Sequence, residues 1–126
     1  MKKILINFIA LLMFSTPSFA NWVKVASTAN NDDFYVDFER IRKNDGYVYY
    51  WVLLDYLKPD KWGDLSVKVY SQGDCESFKY KELSSSYHTY PMGLGEPSTL
   101  AKPSPQWKYP PPNSSVEIIL DKVCSQ

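Results

Sequence analysis

The feature that most constrains this chain is the run Tyr47–Leu57, YVYYWVLLDYL. In an extended backbone Tyr47, Tyr49, Trp51 and Leu53 project one way and Val48, Tyr50, Val52 and Leu54 the other. Both sets are apolar or aromatic. Such a strand belongs at the centre of a sheet, with its two faces covered. The alternative is that one face is left open as a partner-binding surface.

Other strands arrange themselves around that run. Trp22–Ser27 (WVKVAS) reads as a first strand, Asn30–Asp33 as a turn and Phe34–Asp37 as a second strand. One helical turn follows over Asp37–Ile41, with Asp37 placed to accept from the amides after it. Asn44-Asp45-Gly46 is a hairpin turn, because Asp-Gly suits positive φ. After a loop at Lys58–Asp64, Leu65–Ser71 alternates, with Leu65, Val67 and Val69 inward. Gly73-Asp74 is expected to break it. Cys75 to about Tyr90 then forms a second long strand, whose mixed pattern calls for a bulge. Prolines 97, 103, 105 and 110–112 make Pro91–Pro112 a loop, with room for a short edge strand near Trp107–Tyr109. That segment reads as a stiff crossover, with a polyproline ligand at Tyr109–Pro112 as the rival reading.

The chain closes on a helix. Ser114 and Glu117 have capping-box spacing, which outweighs the glycosylation reading of Asn113-Ser114-Ser115. Val116, Ile119, Leu120 and Val123 fall on one stripe. Cys124 lies beside Leu120, facing whatever the helix packs on.

The first twenty residues are of another kind. Met1-Lys2-Lys3 is basic, Ile4–Phe14 is apolar apart from Asn7, and Ser18-Phe19-Ala20 offers a small-residue cleavage site. Residues 1–20 therefore read as a secretory signal peptide, and 21–126 as a single mature domain. Asn21, not cysteine, follows the cut, so the product is not expected to be a lipoprotein but periplasmic, released or at the cell surface. The leader contains Lys2 and Lys3 and no acid. Of fourteen basic and fourteen acidic residues it leaves twelve and fourteen, a net charge of −2. That balance argues against a nucleic-acid partner. No second apolar run is long enough to span a membrane. Cys75 and Cys124 are the only cysteines. Two thiols in an exported chain are most simply one disulfide, tying the last helix to the sheet.

The residues that carry chemistry are sparse. His88 is the only histidine and has no companions at zinc-ligand spacing. Ser84-Ser85-Ser86 precede it, but not as a nucleophile elbow, and no acid is placed to orient the ring. Asp32, Asp33, Asp37 and Glu39 lack calcium-loop spacing. Asp60 and Asp64 flank Trp62; a glycosidase pair is the far weaker reading of them. No cofactor is implied.

The ordered set Trp22-Val23-Lys24-Val25, Tyr35-Val36-Asp37, Ile41, Val48–Trp51, Asp55, Ser66-Val67-Lys68, Cys75, Gly95, Trp107 and Val123-Cys124 resembles the surface-adhesin protein E family of small exported bacterial proteins. The likeness spans the mature domain. It implies an α+β fold: an antiparallel sheet of about six strands, with a C-terminal helix on its concave face held by a disulfide. It also implies non-enzymatic binding of host matrix or serum proteins such as vitronectin and laminin. The basic, aromatic binding segment of the family's best-known member corresponds to Lys58, Lys61, Trp62 and Lys68, with Asp60 and Asp64 interleaved. The function expected is an adhesin-like binding module with a protein partner. The alternative is a periplasmic accessory or inhibitor domain acting on an envelope protein.

Overall fold

A computed structural model describes residues 20–103 and 106–126. The leader reading of residues 1–19 lies outside the described residues. Seven strands form one antiparallel sheet: β1 (Val23–Ser27), β2 (Asp33–Val36), β3 (Arg42–Asn44), β4 (Tyr47–Asp55), β5 (Ser66–Asp74), β6 (Lys79–His88) and β7 (Thr99–Ala101). Their spatial order is β1-β2-β4-β5-β6-β7, with β3 also paired to β4. The helix α1 (Ser115–Cys124) completes the fold. Among the described residues no helix is long and apolar enough to cross a membrane.

β4 is central, as its composition requires. Its even-numbered residues face α1: Val36, Val48, Tyr50, Ile119, Leu120 and Val123 form the buried core, with Val52, Phe34 and Phe38 against it. Its odd-numbered residues point away from the helix. There only Leu53 is fully buried, while Tyr47, Tyr49 and Trp51 stay half-buried. Cover is therefore fuller on the helix side, where Val48 and Tyr50 are buried, than on the other.

Several local expectations change for identifiable reasons. The strand runs past Ser71, with Gly73 inside β5 and Asp74 its last residue. A Cβ on Gly73 would lie 2.9 Å from both Leu120 Cδ1 and Val48 Cγ1, so glycine here makes room for the helix rather than a turn. The turn comes one residue later. Asp74 Oδ1 accepts the Glu76 and Ser77 amides, which places Cys75 in the turn instead of on β6. The bulge expected in the following strand is present: Tyr70 pairs Ser84 and Ser71 pairs Glu82, leaving Leu83 as the extra residue. Asp37 does not cap the short 3-10 turn Phe38–Arg40, and its carboxylate is used elsewhere. The Asp45-Gly46 hairpin forms with both residues at positive φ, and it recruits β3, which the sequence pattern had not marked. In the proline-rich segment the edge strand is Thr99–Ala101 on β6. At Trp107–Tyr109 only Lys108 bridges Tyr80.

α1 begins as its sequence dictates. Ser114 Oγ accepts the Glu117 amide at 3.1 Å, and the Glu117 carboxylate turns back to the Asn113 amide. At the other end Cys124 bonds Cys75, 49 residues away, with 5.6 Å between Cα atoms. Closing a loop of that length contributes roughly 4 kcal/mol in the chain-entropy account.

Candidate binding surfaces

The β4–β5 loop is built around one carboxylate. Asp60 Oδ1 accepts both the Trp62 and the Asp64 amides at 2.9 Å, and the Asp60 and Asp64 backbones close the turn. Gly63 supplies the positive φ that this tight reversal needs. Asp64 turns inward and is buried, accepting the Ser98 hydroxyl at 2.6 Å. The two acids that interleave the basic segment are thus occupied in shaping the loop. Trp62 is left projecting, 73% exposed, with Lys61 Nζ 4.3 Å from its ring centroid. Such a contact at an exposed site stabilises by about 0.5–1 kcal/mol.

The four candidate contact residues do not gather in one recess. Lys61 and Trp62 are neighbours in space. Trp62 borders a shallow recess with Tyr87, Ser98 and Thr99. Lys58 lies beside Asn30, Asp32 and Tyr56. Lys68, on β5, borders a different recess with Trp22, Arg40, Trp51 and Met92. Loop residues and strand residues adjacent in sequence diverge here because β5 leaves the loop on the face away from α1.

The helix covers only part of its side of the sheet. Beyond it lies a groove of about 270 Å³, walled by Phe34, Val52, Leu54, Val67 and Val69 and edged by Tyr56, Tyr87 and Glu82. At the helix end, burial raises the Tyr50 hydroxyl well above its ordinary value, helped by the nearby Tyr80 and Glu82. Burial likewise raises Tyr80 and Tyr56.

His88 is buried, its ring held on both sides. Nδ1 lies 3.2 Å from the Gly95 carbonyl and Nε2 lies 3.0 Å from Ser86 Oγ. A carbonyl only accepts, so Nδ1 carries the proton, and in the neutral ring Nε2 then accepts from Ser86. A backbone carbonyl, not an acid, orients this ring. Burial of the imidazole at the end of β6 fits a structural pairing.

A single open antiparallel sheet, packed on one face by a disulfide-tied terminal helix and extended by the hydrogen-bonded Trp62 loop, defines a small α+β module of one domain. The chain belongs to the surface-adhesin protein E family, whose model matches residues 22–125. The solved structures with the same fold include Haemophilus influenzae protein E in crystal form II. That match has a TM-score of 0.63 at 15% identity and covers 88% of this chain and 92% of that one. A second structure of Haemophilus influenzae protein E gives a TM-score of 0.61 at 15% identity, covering 88% and 89%. At that identity the likeness establishes the fold. No curated protein sequence matches the chain.

Proposed function

We propose that the mature chain is an adhesin-like binding module that recognises a protein of the host extracellular matrix or serum. Membership of a surface-adhesin family supports binding as its task. The observation that carries the reading is Trp62. A large apolar ring, 73% exposed, costs solubility and contributes nothing to the core. Its loop is locked by Asp60 before any partner arrives, so little ordering entropy is lost on binding. Rigid, exposed tryptophans are the residues that dominate protein interfaces. Lys61 is exposed beside it and Lys58 is exposed at the start of the same loop, and the two supply the charged rim, whereas Lys68 acts from the other face of the sheet.

The test is binding of the oxidised protein, residues 21–126, to a panel of purified matrix and serum proteins. Saturable micromolar or tighter binding to at least one is expected. Failure with every member, together with protection of the protein from protease on intact cells, would favour the accessory reading. One observation supports that second reading: the uncovered apolar groove beside α1.

A further inference from the structure

The sheet face away from α1 carries a pattern that the Trp62 loop does not use. Tyr47, Tyr49 and Trp51 project from it along β4. Tyr70 lies 6.3 Å from Tyr49 and 4.8 Å from Trp51, and Trp107 stacks on Tyr47 at 5.6 Å. All five rings are half-buried, and they fall in two groups, Tyr47 with Trp107 and Tyr49 with Tyr70 and Trp51, that follow one another as an aromatic belt along β4.

Cations border this belt. Register puts Arg42 opposite Tyr49 and Lys68 opposite Leu53. Lys79 and Lys81 hold their ammonium groups 5.0 and 4.5 Å from the Trp107 centroid. Among the described residues none of these four cations makes an ion pair. Three acids share this face at the strand ends, with Asp74 opposite both Tyr47 and Lys79. Asp33 holds Lys24 and Ser27, Asp55 accepts the Met92 amide, and Asp74 accepts the Glu76 and Ser77 amides. Beyond Trp51 the belt opens into a recess of about 380 Å³ lined by Trp22, Arg40, Lys68, Met92 and Leu94, with no acid in its wall.

Two ammonium groups over one indole repel each other, and an anion between them relieves that repulsion. The strands thus place five cations, Lys24, Arg42, Lys68, Lys79 and Lys81, against three acids on this face, a positive surplus in a mature chain of net charge −2. The geometry points to a binding site for a linear sulfated or carboxylated polysaccharide. Its sugar rings would lie along the aromatic belt, and its anionic groups would pair with Arg42, Lys68, Lys79 and Lys81. This site lies away from the Trp62 loop and shares only Lys68 with the proposed protein contacts, and the inference goes beyond that reading. A single-stranded nucleic acid would share the charge but not the extracellular setting, and it is the competitor the test must include.

The experiment is titration of the oxidised protein, residues 21–126, with heparin oligosaccharide, neutral dextran and a single-stranded DNA of matched charge. Heparin should bind, dextran should not, and DNA should bind more weakly. Affinity should fall steeply as salt rises. The double variant Lys79→Gln/Lys81→Gln should lose about tenfold in heparin affinity at an unchanged melting temperature. Trp62→Ala should leave heparin binding intact. No heparin binding at low salt, DNA binding as tight as heparin, or indifference to the double lysine variant would each overturn the proposal. So would a loss caused by Trp62→Ala, because it would move the site to the loop.

Discussion

The backbone nitrogen of Asn21 lies 3.2 Å from Oδ2 of Asp37, a carboxylate only 1% exposed. Arg40 Nε is 3.3 Å from the same oxygen, while Oδ1 is buried without a partner. A buried carboxylate oxygen left unpaired costs free energy.

Removal of residues 1–20 would turn that amide into an ammonium group with three donors. A charge-assisted bond is roughly twice as strong as a neutral one. The protein beginning at Asn21 should therefore be more stable, by about 1 kcal/mol, than one that retains Ala20. Asp37→Asn should abolish the difference. Thermal unfolding of the four proteins checks this; parallel losses with no coupling would show that Asp37 does not receive the new terminus.

Gly73→Ala should destabilise by about 1–3 kcal/mol, because the added methyl meets Leu120 and Val48 at 2.9 Å. Denaturant unfolding reads the loss. A neutral result would mean that α1 sits further from β5 than described.

Reduction, or Cys124→Ser, should cost roughly 4 kcal/mol by freeing the 49-residue separation between Cys75 and Cys124. The midpoint of urea unfolding should fall accordingly. Equal midpoints with and without reductant would contradict the stabilising role.

Tyr50 holds its proton in the folded state far above the ordinary value of 10.0, chiefly because it is buried. Unfolding lets it ionise near that ordinary value. Stability from this group is thus fully present below about pH 10 and is lost as pH rises further. Tyr80 and Tyr56 add to the same trend. Circular dichroism should show cooperative alkaline unfolding, displaced to higher pH in Tyr50→Phe, and the tyrosinate absorbance that this variant lacks should appear together with unfolding. Appearance of that difference well before unfolding would show that the Tyr50 hydroxyl is accessible in the native state.

What the sequence displayed was its periodic part. Tyr47–Leu57 and Ser114–Cys124 each repeat with one period over many residues, so both elements and the packing of Leu120 toward the sheet were legible. Gly73 was not, because glycine marks both turns and close approaches, and only the position of Leu120 decides between them. β3 is three exposed polar residues, paired solely because the hairpin brings them to β4. Trp62 stood out, but not the engagement of Asp60 and Asp64 that leaves it projecting. The aromatic belt is not legible in the sequence because it joins Tyr47 to Trp107 and Trp51 to Tyr70, pairs distant in the chain that only the fold brings together.

The central claim is that this module binds a host protein through Trp62. The most direct measurement is the affinity of Trp62→Ala for whichever matrix or serum protein the oxidised domain binds, taken beside its melting temperature. The account predicts a loss of about 2 kcal/mol or more at an unchanged melting temperature, with Lys61→Ala costing less and mattering less at high salt. Undiminished binding by Trp62→Ala, or loss of binding only because the domain unfolds, would contradict it.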